Sequence, residues 1–235
     1  MKVDIIIMGC HERDVNIDIL LNKLELSKNN VVYDNNHDGP LSTALKAWTY
    51  QYNSEITHRI LLQDDAAVCD NFKQICERIV VAHPNEVIAL FPFDTIKIEF
   101  EHSDTPYYDL KIFSGVGIIM PVEYIDGFCI YAKEHPFKDK DNWTLYNYCK
   151  EQNIRMIQTV PALVQHLGDY SLYDTNADVR RVKCFDENPV ANWDSKEIIT
   201  PKYYSEFERE MAKKLEWSKQ YIKNLAKERS QNNDK

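Results

Sequence analysis

Residues 59–67 read Arg-Ile-Leu-Leu-Gln-Asp-Asp-Ala-Ala, a short apolar run that ends in two adjacent carboxylates and small residues. A buried strand has this pattern when it delivers acidic side chains to the end of a sheet. Ligands of open α/β sheets bind at the carboxyl ends of the strands. The pattern therefore predicts that Asp64 and Asp65 hold a divalent metal, which in turn holds a phosphate. A strand that simply stops at a polar turn is the alternative interpretation.

The first hundred residues alternate between strand-like and helix-like segments. Short runs rich in β-branched residues indicate strands, and apolar residues spaced three or four apart indicate amphipathic helices. A β-α-β-α-β-α-β order is typical of a parallel sheet with helical crossovers. The predicted strands cover residues 3–8, 31–33, 60–62 and 87–93, and the predicted helices cover residues 15–26, 42–52 and 71–82.

Two of these helices allow predictions for individual positions. In the first helix, Ile19, Leu20 and Leu24 have the spacing of an apolar face. In the second helix, Ser42 is the predicted N-cap, because serine hydroxyls accept hydrogen bonds from the free backbone N–H groups at a helix start.

After residue 100 the regular alternation ends. An apolar run at residues 110–120 is interrupted by Ser-Gly-Val-Gly at residues 114–117. Glycines inside such a run indicate a bulge or a close approach of the backbone to a ligand. The remaining predicted elements are a strand at residues 97–100, helices at residues 121–133 and 143–152, a broken strand pair at residues 155–160 and 162–165, and a charged helix from residue 203 onward.

The composition limits the classes of function. Lys and Arg total 28 against 37 Asp and Glu, for a net charge of -9, and this balance argues against non-specific binding to nucleic acid. No apolar run approaches the length of a membrane span. The chain opens on a strand-like segment without a signal-type stretch, so a cytoplasmic location is expected. The six cysteines show no CxxC spacing, which favours reduced, structural thiols over a zinc site.

Polar residues follow the first two strands as well as the third. Arg13 comes after the first strand and Asp34 ends the second. A carboxylate at the second strand end is well placed to bind a ribose or a base, and an arginine after the first strand can reach a diphosphate. A surface loop and a turn are the alternative interpretation for these two residues.

His166 also follows an apolar segment, far along the chain. Two carboxylates and one imidazole suit Mn²⁺, which accepts both oxygen and nitrogen ligands. A structural histidine is the alternative, and the metal interpretation depends on the local sequence around His166.

Several of these motifs occur together in one order. They are the strand that ends Leu-Gln-Asp-Asp-Ala at residues 62–66, Phe72, the Ser-Gly-Val-Gly run, and Val-Gln-His-Leu-Gly at residues 164–168. Together they resemble a glycosyltransferase of the GT-A fold, similar to small bacterial and phage enzymes that use nucleotide sugars. The resemblance covers about residues 1–173.

The resemblance implies an α/β fold with a Rossmann-like, GT-A type sheet. Residues 1–175 would form the catalytic domain. Beyond the resemblance, the residue pattern predicts that residues 176–235 form a loop and a C-terminal amphipathic helix packed on the same domain, with a partner-binding or membrane-surface helix as the alternative. The donor is expected to be a UDP-sugar bound with Mn²⁺ or Mg²⁺. A phage-encoded enzyme would work in the host cytoplasm.

The resemblance also implies roles for residues at matching positions. Asp65 corresponds to the metal-binding carboxylate, and Asp64 to its partner on ribose or metal. His166 resembles the late histidine that completes the metal shell. Arg13 and Asp34 fall where such enzymes hold the nucleotide. The family often has an acid at the position of Gln63, which puts an Asp-x-Asp ligand set in doubt.

Sugar transfer with inversion needs a base near the acceptor hydroxyl, and a carboxylate can serve. Asp139 and Asp141 are the candidates, because inverting members of the fold commonly place an Asp just before the corresponding helix. A helix N-cap is the alternative role for Asp141. The expected acceptor is a glycan or a small hydroxyl compound, with a hydroxymethylated base in phage DNA as the second candidate.

Three other classes of protein compete with this interpretation. A nucleotidyltransferase normally opens with a glycine-rich loop, and here only Gly9 follows the first strand. A haloacid-type phosphatase needs Asp-x-Asp on the first strand, which instead ends in Gly-Cys. A catalytically inactive nucleotide-sugar-binding module is the third alternative, and Gln63 is its best support.

Overall fold

A mixed β-sheet forms the centre of this computed structural model, which describes residues 1–51, 54–92, 105–110, 114–135, 140–168 and 181–200. These residues contain nine strands: β1 (Val3–Gly9), β2 (Val31–Tyr33), β3 (His58–Gln63), β4 (Ala66–Val68), β5 (Val87–Ala89), β6 (Tyr107–Asp109), β7 (Gly117–Pro121), β8 (Met156–Thr159) and β9 (Val164–His166). They also contain five α-helices: α1 (Asp14–Leu24), α2 (Pro40–Trp48), α3 (Phe72–Ala82), α4 (Ile125–Glu134) and α5 (Asp141–Glu151).

Seven strands make the central sheet in the order β2-β1-β3-β7-β5-β8-β6, and β4 pairs with β9 in a separate two-stranded sheet. β1 is parallel to β2 and β3, and β5 is parallel to β8, whereas β7 and β6 run antiparallel to their neighbours. The predicted α/β class is therefore confirmed as a mostly parallel, mixed sheet that is compatible with a Rossmann-like fold.

The first four predicted strands, β1, β2, β3 and β5, run in the same direction, as the β-α-β order predicts, but they do not form one continuous parallel sheet. The antiparallel strand β7 lies between β3 and β5, so the third and fourth predicted strands are not neighbours. All five residues of β7 are buried. An apolar run of this kind shows that a strand is buried on both faces but carries no information about its direction. The two strands predicted around Pro161, β8 and β9, do not pair with each other, because they belong to different sheets.

One face of the sheet is covered by α2, α4 and α5. A single buried cluster joins alternate residues of the strands, such as Ile6 and Met8, to the apolar sides of these helices, including Trp48, Phe128 and Leu145. Helices α1 and α3 also contact β1. They cover the opposite face, to which the intervening residues of β1 point because side chains alternate along a strand.

Two helix predictions need correction. Ile19 is 61% exposed, and the buried residues of α1 are Ile17, Leu20 and Leu21. The sequence contains both spacings, and only packing against the sheet selects between them. Helix α2 begins at Pro40 rather than after Ser42, with Gly39 as the N-cap. Proline is favoured at the first helical position because its fixed φ angle suits the helix and its missing N–H has no partner there anyway.

Some predicted features fall outside the described residues. These are the strand at residues 97–100, the candidate base Asp139, and the charged helix from residue 203. The compact unit that is described spans Met1–Ile199, and a second unit begins at Thr200. In the part of the chain that is described, no helix is long and apolar enough to cross a membrane.

Arg59 joins three elements at the start of β3. Its side chain is completely buried and forms an ion pair with Asp4 of β1. Its Nη1 donates to the carbonyl oxygens of Ala47 at 3.1 Å and Trp48 at 2.8 Å, at the end of α2. Helix-terminal carbonyls have no intrahelical partner, and a buried arginine satisfies them.

Replacing this arginine should destabilise the fold. Arg59→Met leaves the Asp4 carboxylate and two carbonyls without their donor, so we expect the free energy of unfolding to fall by about 3 kcal/mol. Urea denaturation measures the change. The control is Arg78→Met, which removes an exposed ion pair with Asp194 and should cost less than about 1 kcal/mol. Equal losses from the two variants would contradict a supporting role for the buried pair.

Candidate functional site

The carboxyl ends of β1, β2 and β3 meet at one edge of the sheet. Gly9 at the end of β1 lies opposite Tyr33 at the end of β2, and Met8 lies opposite Gln63 at the end of β3. The segments that follow these strands are therefore neighbours in space, although the ends of β1 and β2 are 24 residues apart in sequence and those of β2 and β3 are 30 apart. Strand ends of this kind are where α/β sheets bind ligands.

Asp64 and Asp65 are both buried at this edge, with 7% and 3% exposure. Oδ2 of Asp64 accepts hydrogen bonds from the backbone N–H of Cys10 at 2.9 Å and from its thiol at 3.2 Å. Nη1 of Arg13 donates to Oδ1 of Asp64 at 2.9 Å and also to Oδ2 of Asp65. The loop after β1 thus supplies a positive charge and two donors to the acidic pair.

The small sheet of β4 and β9 brings His166 to Asp65. Ala66, the residue after Asp65, pairs with His166 in antiparallel register. The backbone N–H of Leu167 donates to the carbonyl oxygen of Asp65 at 2.7 Å. Nε2 of His166 lies 3.0 Å from Oδ2 of Asp65. The structure therefore places the three residues predicted to bind metal in one cluster.

The two carboxylates differ in their electrostatic environment. Burial raises the pKa of Asp64; the charge of Arg13 offsets part of that rise, and neighbouring Asp65 adds to it. Burial would also raise the pKa of Asp65, but the hydrogen bond and charge of His166, together with Arg13, outweigh it and lower the pKa below its usual value. Asp65 is therefore the more firmly ionised of the pair, as a ligand for a cation must be.

Asp141 approaches the same edge from α5. A Cβ atom added to Gly115 would lie 3.0 Å from Nε2 of Gln63 and 3.1 Å from Oδ2 of Asp141. The glycine before β7 thus leaves room for both side chains at the end of β3. Burial raises the pKa of Asp141. Lys140, and not Asp141, occupies the N-cap position of α5, so the capping role considered for Asp141 is not the observed one.

Asp34 is buried and holds a turn. Its carboxylate oxygens accept from the backbone N–H groups of Asp38 at 2.8 Å and Gly39 at 3.2 Å. These bonds shape the loop that leads into α2, as the turn interpretation predicts. A contact between Asp34 and a nucleotide stays a prediction.

Two residues of the site were not predicted to belong to it. Cys10 was expected to be a structural thiol, yet it contacts Asp64. Gly168 is buried, and an added Cβ would lie 2.7 Å from Oδ2 of Asp65 and 3.1 Å from Cε1 of His166. The His-Leu-Gly motif contains this glycine, but only the folded chain shows that its missing side chain leaves space at the acidic pair.

The chemistry of the cluster fits a divalent cation. Oδ1 of Asp65 and Nδ1 of His166 are buried and have no hydrogen-bond partner among the described residues. A carboxylate and an imidazole suit Mn²⁺. The described residues contain no group of three or more acidic, histidine or cysteine side chains placed to hold a metal. Cations that act on nucleotides are commonly held by one or two carboxylates together with the phosphates, so two protein ligands are sufficient.

Comparison with known protein families and with curated proteins finds no match to this chain. The geometry of the site is therefore the basis for a functional proposal.

Replacing Asp141 with asparagine should stabilise the folded chain at neutral pH, because it removes a negative charge whose burial is unfavourable. The pKa of Asp141 is raised in the folded state, so ionising it as the pH rises through that value lowers the stability of the folded chain. We expect the variant to have a higher melting temperature than the wild type at pH 7 and above. The difference should vanish below the unfolded-state pKa of about 3.9, where both states are protonated.

Asp126→Asn is the matched control, because Asp126 also lies in the first turn of a helix but is exposed. Its carboxylate lies at the positive end of the helix dipole, which favours a negative charge, so its loss should lower stability slightly. Differential scanning calorimetry across the pH range measures both effects. A loss of stability in Asp141→Asn at pH 7 would contradict a raised pKa for Asp141 in the folded chain.

Proposed function

We propose that this chain is a metal-dependent glycosyltransferase that moves a sugar from a UDP-sugar to an acceptor hydroxyl. The observation that carries the proposal is the buried pair Asp64 and Asp65, with His166 bonded to Asp65, at the carboxyl edge of a Rossmann-like sheet. The GT-A type of the sheet is part of the same proposal. The order of the motifs, from the acidic strand end to the late histidine, supports it.

Asp65 and His166 would hold the cation, and the diphosphate would complete its ligands. When bound, a cation at this position neutralises the charge that develops on the departing diphosphate. Asp64 is held beside Asp65 by Cys10 and Arg13, and its proposed role is on the nucleotide side. Asp34 supports the nucleotide side by ordering the loop after β2.

Asp141 would accept the proton of the acceptor hydroxyl in an inverting transfer. A base must be near the reacting oxygen and have a pKa high enough to take its proton. The burial of Asp141 raises its pKa, and Gly115 leaves space beside it. Asp139 is the second candidate, and it lies outside the described residues.

The acceptor is proposed to be a glycan or a small hydroxyl compound. The net charge of -9 disfavours binding to a polyanion. A hydroxymethylated base in phage DNA is the second candidate. A gel shift with duplex DNA that carries such bases distinguishes them, because binding to DNA would weaken steeply with salt.

Removing the metal-binding carboxylate should abolish donor turnover. The assay incubates the chain with Mn²⁺ and a panel of nucleotide sugars, and measures release of the nucleoside diphosphate. We expect Asp65→Asn to lower the rate at least about 100-fold, because the charge of the leaving group loses its stabilisation. Asp64→Asn should lower it by about 10- to 100-fold, because it changes the environment of the ligand and not the ligand itself.

Asp194→Asn is the control, since it removes an exposed carboxylate, and it should leave the rate unchanged. If no donor is bound or hydrolysed and Asp65→Asn has no effect, the transferase proposal fails. Binding of a nucleotide sugar without turnover under any acceptor condition would indicate the inactive binding module instead. Equal losses from Asp64→Asn and Asp65→Asn would contradict the division of roles between them.

A further inference from the structure

Arg13 is already paired with both carboxylates of the proposed cation site. Its Nη1 contacts one oxygen of each carboxylate, Oδ1 of Asp64 and Oδ2 of Asp65. The same Oδ2 also accepts the bond from His166. A cation that draws on this carboxylate therefore competes with an internal ion pair that is already formed. The side chain of Arg13 is only 12% exposed, so water does little to screen its charge from that of a cation at the same carboxylates.

The balance of charge makes this competition strong. Two carboxylates and one guanidinium leave a net charge of one negative unit at the pair when His166 is neutral. A divalent cation added there would lie beside the guanidinium, and the two positive charges repel each other at short range. The pair is therefore a poor cation site as long as Arg13 stays on it.

A diphosphate changes the balance. Each phosphate brings negative charge and oxygens that suit the planar donors of arginine. Arg13 stands at the start of α1, and the exchange that this balance favours is of a carboxylate for a phosphate oxygen by rotation of its long side chain. The carboxylates are then free to hold the cation that the same diphosphate coordinates.

We propose that Arg13 is a tethered counter-ion that makes the binding of the cation and of the nucleoside diphosphate mutually dependent. In the ligand-free chain Arg13 is paired with both Asp64 and Asp65. When the diphosphate binds, Arg13 moves from the carboxylates to a phosphate oxygen, and the cation that the diphosphate coordinates binds to the carboxylates. This inference rests on the proposed function of the site and goes beyond it, because it makes Arg13 a positioning residue that suppresses cation binding until the nucleotide arrives.

The test measures Mn²⁺ affinity of the full chain by electron paramagnetic resonance, with and without UDP. The Mn²⁺ held by UDP in the absence of protein is subtracted. For the wild type we expect the affinity to rise by about tenfold or more when UDP is present. Because linkage is reciprocal, Mn²⁺ should raise the affinity for UDP by the same factor.

Arg13→Gln removes the charge and keeps a polar side chain of moderate length. In this variant Mn²⁺ should bind about tenfold more tightly than in the wild type when UDP is absent, and the coupling should shrink correspondingly. Arg13→Lys keeps the charge and should stay close to the wild type. A merely structural role for Arg13 would weaken Mn²⁺ binding in Arg13→Gln or leave it unchanged, and either result overturns the inference.

A second measurement keeps the test valid if Arg13→Gln does not fold. In the wild-type chain, the nuclear magnetic resonance signal of the Arg13 Nε–H group should stay in place on addition of Mg²⁺ alone and shift when Mg²⁺ and UDP are added together. A shift with Mg²⁺ alone overturns the inference. If the wild type binds Mn²⁺ with UDP but Arg13→Gln shows the same affinities, only this inference fails. If the wild type binds neither Mn²⁺ nor UDP, both this inference and the proposed function fail.

Discussion

Two adjacent carboxylates are buried at the end of β3, and their charge has to be balanced inside the protein. Burial of an unpaired carboxylate is costly, and two side by side repel each other as well. The compensation comes from two separate parts of the chain. The β1 loop supplies the Cys10 N–H and Arg13, and the strand β9 supplies His166. The loops around the strand ends are held together by this requirement.

The sheet and the small β4–β9 pair make that compensation possible. Parallel register aligns the ends of β1 and β3, and antiparallel pairing of Ala66 with His166 sets the imidazole against Asp65. The side chain of Gln165 holds the backbone of Val182 through two hydrogen bonds, which fixes β9 against the later chain. On the other side, Gly115 precedes β7 and gives Asp141 access to the same edge.

The sequence was sufficient for the features that depend on local patterns. The first three strands and the helices between them follow from apolar spacing, and Asp64 and Asp65 follow from the strand that ends in them. The position of β7 and the burial of Ile17 instead of Ile19 depend on contacts between distant segments, which periodicity does not encode. For a related reason, the sequence does not predict the ion pairs of Arg13 with Asp64 and Asp65. An arginine next to a predicted phosphate site indicates a ligand, and only the folded chain shows that two buried carboxylates need it first.

The cation position beside Asp65 and His166 is tested most directly by anomalous scattering from Mn²⁺ in crystals of the chain grown with UDP. We predict one strong peak within coordination distance of an Asp65 oxygen and a His166 nitrogen, with the diphosphate on its open side and Arg13 moved from the carboxylates to a phosphate. A bound UDP with no Mn²⁺ peak at these two residues, or with Arg13 still bridging Asp64 and Asp65, would contradict the central claim.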